Sequence, residues 1–186
     1  MRRIIGSHRK SLRRLNSLQP WVDTTAAMND STAAAATSTV EVAAVNRRAA
    51  RLERFRFDAI VDLMKARYDV RVKRWRRQMS GCAWSVFLRD GRRINWIESP
   101  QPRTPISLAI FLHEIGHHVI GFDRYKRRCE EEYHAWVWAI SQMRKLGVEP
   151  DEKVNRRFEL SMQYAVGKAM RRGLKQLPEP LMKFAA

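Results

Sequence analysis

The stretch His113-Glu114-Ile115-Gly116-His117 lies inside an apolar segment, and it decides how the chain around it folds. Its two histidines are four residues apart, so on a helix they lie on one face, one turn from each other, and can hold a single metal ion. This H-E-x-x-H pattern is typical of a zinc site in which the glutamate takes a proton from a metal-bound water. The sequence therefore predicts His113 and His117 as metal ligands and Glu114 as a general base.

The residues around this stretch have the signals of a helix from about 105 to 120. Thr104 suits the N-cap, Pro105 suits the first helical position, and Gly121 stands where a C-terminal stop is expected. Both histidines share a face with several isoleucines and are expected to point toward the core, where unpaired imidazoles would need partners. A metal ion supplies that partner. His118 lies about 100° further round the helix, so we expect it to support the site or to lie on the surface.

A catalytic zinc site needs a third protein ligand and an open position for water. The candidates lie in a second predicted helix, from Glu130 to Leu146. When residues are projected at about 100° each, Glu132 falls on the apolar side of this helix, whereas Glu131 and His134 fall on the far side. A carboxylate on an apolar side has to be paired or metal-bound. Glu132 is therefore the predicted third ligand, and Glu131 and His134 stay open as alternatives.

This arrangement resembles the zincin metallopeptidases that use a glutamate as third ligand, and among them the small ImmA/IrrE-like proteins of bacteria and phages. In that family the H-E-x-x-H helix is followed by a helix reading approximately Glu-x-Glu-Ala-x-x-Phe-Ala. Here Ala135, Trp138 and Ala139 match the later part of that pattern. In this register His134 stands at the ligand position, which departs from the family and resembles the SprT-like zincins. The resemblance covers roughly residues 40 to 146.

The resemblance implies a zinc-dependent metallopeptidase that hydrolyses a peptide bond of a protein or peptide substrate. Glu114 would act as the base and then pass the proton to the leaving amine. Zn²⁺ would stabilise the oxyanion together with a further donor, for which Tyr133 and His134 are candidates, and His118 is a candidate supporting residue. Two alternatives stay open: a regulatory protein with a zincin fold and no turnover, and a nucleic-acid-associated protein whose metal is structural.

The remaining segments predict an α+β fold, a minimal zincin with a small three-stranded antiparallel sheet. Apolar residues at helical spacing indicate an N-terminal helix, alternation indicates strands, and Asp90-Gly91 is a strong hairpin signal. By the resemblance, the strand just before the metal helix is expected to be an edge strand to which a peptide substrate adds; an ordinary strand without a substrate is the alternative. The predicted elements are helices over 41–67 and 151–174 and strands over Tyr68–Trp75, Cys82–Arg89 and Arg92–Glu98.

Composition and segment pattern predict one folded domain with a tail at each end. The stretch Thr24 to Thr39 is rich in Ala, Ser and Thr without periodicity, so residues 1–39 are expected to form a disordered basic tail, with Met28 as an alternative start. The metallopeptidase-like domain is expected over 40–178, and residues 179–186 are expected to form an irregular tail.

The cysteines and the hydropathy pattern bound the cellular context. Cys82 and Cys129 are too few for a disulfide framework and form no C-x-x-C motif, so a cytoplasmic, reducing location is expected. No apolar run approaches the roughly 18 residues that span a membrane. We therefore expect no membrane span.

Charge is the second prominent feature, with 36 basic against 19 acidic residues and a formal net charge of +17. A field of this sign attracts polyanions. In the densest basic cluster an indole ring is available to stack on a base, and the surrounding cations are available to contact phosphates. The candidate nucleic-acid contacts are Arg71, Lys73, Arg74, Trp75, Arg76 and Arg77. No recognised nucleic-acid-binding motif accompanies them, so binding would be non-specific and salt-sensitive. The alternative is a solvated basic surface.

Overall fold

A computed structural model of the chain describes residues 26–122 and 124–185, with side chains from residue 42 onward. Two compact units divide the chain, Met1–Asn46 and Arg47–Ala186, and the first contributes only the beginning of the first helix to the described residues. The elements are α1 (Ala26–Tyr68), β1 (Val70–Arg76), β2 (Cys82–Phe87), β3 (Arg93–Pro100), α2 (Pro105–Ile120), α3 (Arg128–Lys145), α4 (Glu152–Arg171) and α5 (Glu179–Met182). The α+β class predicted from the sequence is confirmed.

Helix α1 begins earlier than the predicted 41–67. Residues 1–25 of the expected tail lie outside the described residues, whereas 26–39 belong to α1. The Ala-rich composition explains the difference, since alanine favours a helix even where no apolar periodicity is present. In the second unit, α1 contributes Phe57, Ile60, Val61 and Met64 to the core at helical spacing.

The sheet is mixed, so the predicted antiparallel sheet is wrong. Its strand order is β1-β3-β2, with β1 parallel to β3 and β2 antiparallel to β3. Strand β3 carries Ile97 and Ser99, which are fully buried, and the most buried strand takes the central position. The predicted edge strand Arg92–Glu98 therefore lies in the middle of the sheet. Strands β1 and β2 are the edges.

Helix α2 packs against one face of the sheet and against α3. Its start follows the prediction, because Thr104 accepts a hydrogen bond from the backbone N–H of Ser107 and Pro105 is the first helical residue. A Cβ added at Gly116 would lie 2.9 Å from the backbone oxygen of Ala135 in α3, which is closer than real Cβ contacts come. Gly116 therefore allows the backbones of α2 and α3 to approach closely.

Two residues of the segment 179–185 belong to the core, although an irregular tail was expected over 179–186. Helix α5 lies in this segment, and Leu181 and Phe184 are buried. The ring of Phe184 lies 5.5 Å from the ring of Phe158 on α4. Leu181 belongs to α5, and Phe184 lies in the turn that follows it, where its backbone N–H donates to the backbone oxygen of Leu181 at 3.0 Å. This turn brings both side chains to the core despite the nearby prolines. Among the described residues, no helix is both long and apolar enough to cross a membrane.

We expect Gly116→Ala to destabilise the protein, because the added methyl group meets backbone that cannot rotate away. Overpacking of this kind costs about 1–3 kcal/mol. The matched control is Gly167→Ala in α4, where the nearest atom to an added Cβ is the Nη1 of Arg171 at 3.3 Å, the end of a flexible side chain. A helical glycine replaced by alanine without a clash should gain about 0.5–1 kcal/mol. Urea denaturation of both variants measures the difference, and equal stabilities would contradict the close approach.

Candidate metal centre

Three side chains from α2 and α3 converge with one potential ligand atom each. The Nε2 atoms of His113 and His117 lie 3.2 Å apart. The Oε2 atom of Glu132 lies 3.2 Å from Nε2 of His113 and 3.8 Å from Nε2 of His117. These atoms form a triangle small enough for one ion, and the three residues could hold a metal.

The size of this triangle fits a tetrahedral ion. Ligand atoms placed about 2.0–2.1 Å from zinc at tetrahedral angles lie roughly 3.3–3.4 Å from one another. The three distances in the site, 3.2, 3.2 and 3.8 Å, bracket that value. Both histidines are buried. Two imidazole nitrogens and a carboxylate oxygen that face one buried point raise the free energy of the folded state unless a cation lies between them.

The ring of each histidine is held differently. His117 donates from Nδ1 to Oε1 of Glu131 at 2.9 Å, so its other nitrogen faces the centre. His113 stacks on Trp136 with ring centres 4.5 Å apart, and its Nδ1 is buried without a hydrogen-bond partner in the described part of the chain. A carboxylate behind a ligating histidine fixes the ring and raises its basicity. Only His117 has that support here.

Glu131 contacts the outer nitrogen of His117 and does not belong to the ligand triangle. Its side chain is buried, and Arg128 donates to the same Oε1 at 2.6 Å. The helical projection placed Glu131 on the far face of α3, and the structure instead places it between α2 and α3. Helix α3 presents a wide face to α2, so residues about 100° apart both reach it.

Glu132 uses its two oxygens for different partners. Oε1 accepts a hydrogen bond from Arg128 at 2.9 Å, while Oε2 faces the histidines. Burial raises the pKa of Glu132, but the hydrogen bond from His113 and the charges of His113, His117 and Arg128 outweigh it and hold the pKa at about 2. The carboxylate is therefore ionised at neutral pH and available to a cation.

Glu114 is buried beside this triangle. Burial raises its pKa to about 7, against the opposing charge of His117. Its carboxyl group packs on Gly81, just before β2, where an added Cβ would lie 2.6 Å from Cδ of Glu114. A group whose pKa lies near neutrality is suited to proton transfer in both directions. Sequence reasoning missed Gly81; its position directly before a strand was the only signal.

The other predicted site residues lie elsewhere. His118 bonds through Nε2 to the backbone oxygen of Trp96 at 3.0 Å and so links α2 to β3. His134 stacks on Tyr125 with ring centres 4.3 Å apart. Tyr133 packs near Phe184, with ring centres 6.4 Å apart. None of the three belongs to the group of residues that could hold a metal.

A cavity of about 830 Å³ opens onto the triangle and Glu114. One wall is formed by the segment Ser80–Ala83, which includes the start of the edge strand β2, and another by α4. Neither Tyr133 nor His134 lines it. Helix α4 contributes hydrogen-bond donors that the sequence did not assign to the site, and they are Arg157, Ser161, Tyr164 and Lys168. Arg157 donates to the backbone oxygen of Met79 at 3.0 Å, which leaves its Nε buried without a partner among the described residues.

The predicted basic cluster on β1 is divided between two faces of the sheet. Trp75 turns toward α2, and its ring centre lies 6.0 Å from that of Phe111. Arg74 and Arg76 both pair with Glu98, at 2.9 and 3.0 Å. The cluster therefore does not form the continuous patch around Trp75 that the sequence suggested.

Comparisons with known proteins give no relative. No family model matches the chain, and neither a curated protein nor a solved structure does. Inference about function therefore depends on the residues and their geometry.

Three adjacent glutamates allow a direct test of the ligand set. We expect the purified protein to hold a divalent ion and the variant Glu132→Ala to lose it. The variant Glu131→Ala should bind the ion about 10–100-fold more weakly, because it loses only the hydrogen bond that supports His117. Glu130→Ala is the matched control, since Glu130 pairs with Arg127 at 3.6 Å and is outside the triangle. Elemental analysis and competition with a zinc chelator measure these affinities. Equal metal content in all three variants would exclude Glu132 as a ligand.

Proposed function

We propose that the protein is a zinc-dependent metallopeptidase of the zincin type, resembling the ImmA/IrrE-like proteins, that hydrolyses a peptide bond of a protein substrate. The observation that carries the proposal is that one cavity is shared by a three-residue metal triangle and a buried glutamate with a raised pKa. Two histidines and one carboxylate are a ligand set typical of catalytic zinc, and a fourth position stays open for substrate or water.

The chain's own residues divide the work of hydrolysis. His113, His117 and Glu132 would hold the ion, and Zn²⁺, when bound, supplies Lewis acidity toward water and the scissile carbonyl. Glu114 takes the proton of the attacking water and delivers it to the leaving amine. Glu131 keeps the ring of His117 oriented. With this geometry a buried carboxyl group near its pKa can act first as base and then as acid.

The edge strand β2 offers a binding path for an extended peptide. Gly81, Cys82 and Ala83 line the cavity, and the outer side of β2 has no neighbouring strand in the described sheet. A peptide can add to such an edge by backbone hydrogen bonds. We therefore propose for β2 the role in peptide binding that the resemblance predicted for Arg92–Glu98.

The charge of the cavity favours acidic substrates. Two carboxylates line it, Glu114 and Glu132, and both serve the metal chemistry. Five cations line it, and they are Arg127, Arg128, Arg157, Lys168 and Arg172. Arg128 is paired with glutamates, whereas Lys168 and Arg172 form no ion pair within the described residues. We infer that acidic side chains next to the scissile bond are preferred.

The test of catalysis is Glu114→Gln, which keeps the size of the side chain and removes the base. We expect the variant to retain the metal and to lose peptide hydrolysis by at least about 100-fold, the usual contribution of general acid–base catalysis. Cleavage of a casein-type protein substrate followed by mass spectrometry, with metal content measured in parallel, reports both. Full activity of this variant would contradict the mechanism.

Gly81→Ala adds a second line of evidence, since the methyl group must displace the carboxyl group of Glu114. It should also keep the metal and lower activity, whereas Gly167→Ala should leave activity unchanged. A wild-type chain that binds the ion but cleaves no peptide would instead indicate a binding or regulatory role without turnover.

Peptides that differ only by Glu, Gln or Lys beside the scissile bond test the charge preference. We expect the highest kcat/KM for the Glu peptide. In the double variant Lys168→Gln, Arg172→Gln, the ratio of kcat/KM for Glu over Gln should fall by up to about fivefold for each cation removed. The effect is no larger because both side chains are exposed. The control Lys153→Gln, Arg156→Gln changes the net charge equally on the same helix, outside the cavity lining. Equal losses in both double variants would show that only net charge matters.

A further inference from the structure

The outer face of the sheet consists of the side chains of β1, β2 and β3 that point away from α2. Val72, Ala83 and Ile97 belong to the core or pack against it, and neighbouring side chains on a strand alternate between faces. Trp84 and Trp96 therefore lie on the outer face, and neither packs against the core cluster. Both are half-buried, so their rings keep solvent-accessible surface.

One row of residues crosses all three strands on this face. Trp84 of β2 is directly opposite Trp96 of β3, and Trp96 is directly opposite Arg71 of β1. Lys73 lies beside the irregularity in the β1–β3 register, and its Nζ reaches to 5.7 Å from the centre of the Trp84 ring. Two indole rings thus lie on adjacent strands, with two cations beside them.

The charge of the outer face is strongly positive. It carries Arg71, Lys73, Arg74 and Arg76 against one acid, Glu98. Glu98 pairs with Arg74 and Arg76, and these contacts hold its pKa below the usual range. Arg71 and Lys73 are exposed and form no ion pair within the described part of the chain. They are therefore available for a ligand.

The face is also uncovered where the structure describes the chain. Among the described helices, α2 is the one with extensive contacts to the sheet, and it lies on the opposite face. A flat sheet with aromatic rings on adjacent strands can stack successive unpaired bases, while flanking cations contact phosphates. A duplex keeps its bases stacked on each other and cannot use the rings in this way.

We propose that the outer face of the sheet is a binding site for single-stranded nucleic acid. Bases stack on Trp84 and Trp96, and phosphates contact Arg71 and Lys73. The site shares Arg71 and Lys73 with the predicted cluster, but its aromatic residues are Trp84 and Trp96, because Trp75 turns toward α2. It is separate from the metal centre, because none of the four residues lines the cavity.

Fluorescence anisotropy of a labelled thymidine oligonucleotide, titrated with the full-length protein at several salt concentrations, tests the proposal. We expect tighter binding to the single strand than to a duplex of equal length. Trp84→Leu and Trp96→Leu should each weaken binding about tenfold. The double variant Arg71→Gln, Lys73→Gln should reduce the slope of log K against log salt by about 1.4, since each lost contact to a single strand contributes about 0.7.

Matched controls separate this site from the general charge of the chain. Lys153→Gln, Arg156→Gln removes the same charge from exposed positions of α4 and should leave the salt slope and the preference for single strands unchanged. Thermal melting verifies folding of the tryptophan variants, and the two charge variants alter only exposed side chains. The variant Glu114→Gln and treatment with a chelator should both leave oligonucleotide binding intact. Failure of the peptidase proposal can therefore be told apart from failure of the nucleic-acid proposal.

Three outcomes would overturn the proposal. Equal losses in the two double variants would assign binding to diffuse charge. Tighter binding to duplex than to single strand would exclude base stacking. Binding to vesicles of phosphatidylserine and phosphatidylcholine that depends on Trp84 and Trp96, with oligonucleotide binding that does not depend on them, would assign the face to anionic lipid surfaces.

Discussion

The contact between α2 and α3 at Gly116 fixes the distance on which the metal triangle depends. Two ligand atoms belong to α2 and one to α3, so the separation of these helices determines whether Oε2 of Glu132 lies 3.2 Å from His113 or out of reach. Within α2 the spacing of the histidines follows from the helix itself. The distance between the two helices depends on Gly116, which has no side chain and lies inside the H-E-x-x-H motif. The motif therefore contains both histidines of the triangle and the glycine that lets Glu132 approach them.

Arg128 balances the charge of the two carboxylates next to the histidines. It binds Glu131 at 2.6 Å and Glu132 at 2.9 Å, so one guanidinium holds the carboxylate behind His117 and the carboxylate that faces the histidines. Without a nearby cation, two adjacent buried or half-buried carboxylates would repel each other and one would take up a proton. Because Arg128 contacts Oε1 of Glu132, the second oxygen stays free for an ion. The same guanidinium thus supports both carboxylates that contact the histidines.

Local signals in the sequence predicted the helix α2 and the group of residues that could hold a metal. Caps and periodicity placed α2 at about 105 to 120, and the structure has Pro105–Ile120. The group His113, His117 and Glu132 also followed from helical spacing and from the rule that an apolar face excludes unpaired carboxylates. The edge position of β3 was expected from the family resemblance, and it is wrong. Strand order depends on which strand buries most surface, which is a property of the whole fold, and here that strand is β3. Glu131 was misplaced for a similar reason, because a projection of α3 alone does not include the width of its contact with α2.

The two faces of the sheet explain how one short strand can serve two sites. On β2, Ala83 turns toward the cavity and core while Trp84 turns outward, and on β3 Ile97 and Trp96 alternate in the same way. Because side chains on a strand repeat every two residues, a slip of one position would move the tryptophans into the core and expose Ala83 and Ile97. The buried face and the hairpin at Gly91, where φ is 82°, hold this register. Packing against α2 therefore positions the outer face as firmly as it positions the cavity wall, although no described helix packs extensively on that side. A peptide in the cavity and a nucleic acid on the outer face would meet opposite sides of the same strands, so neither ligand needs to displace the other.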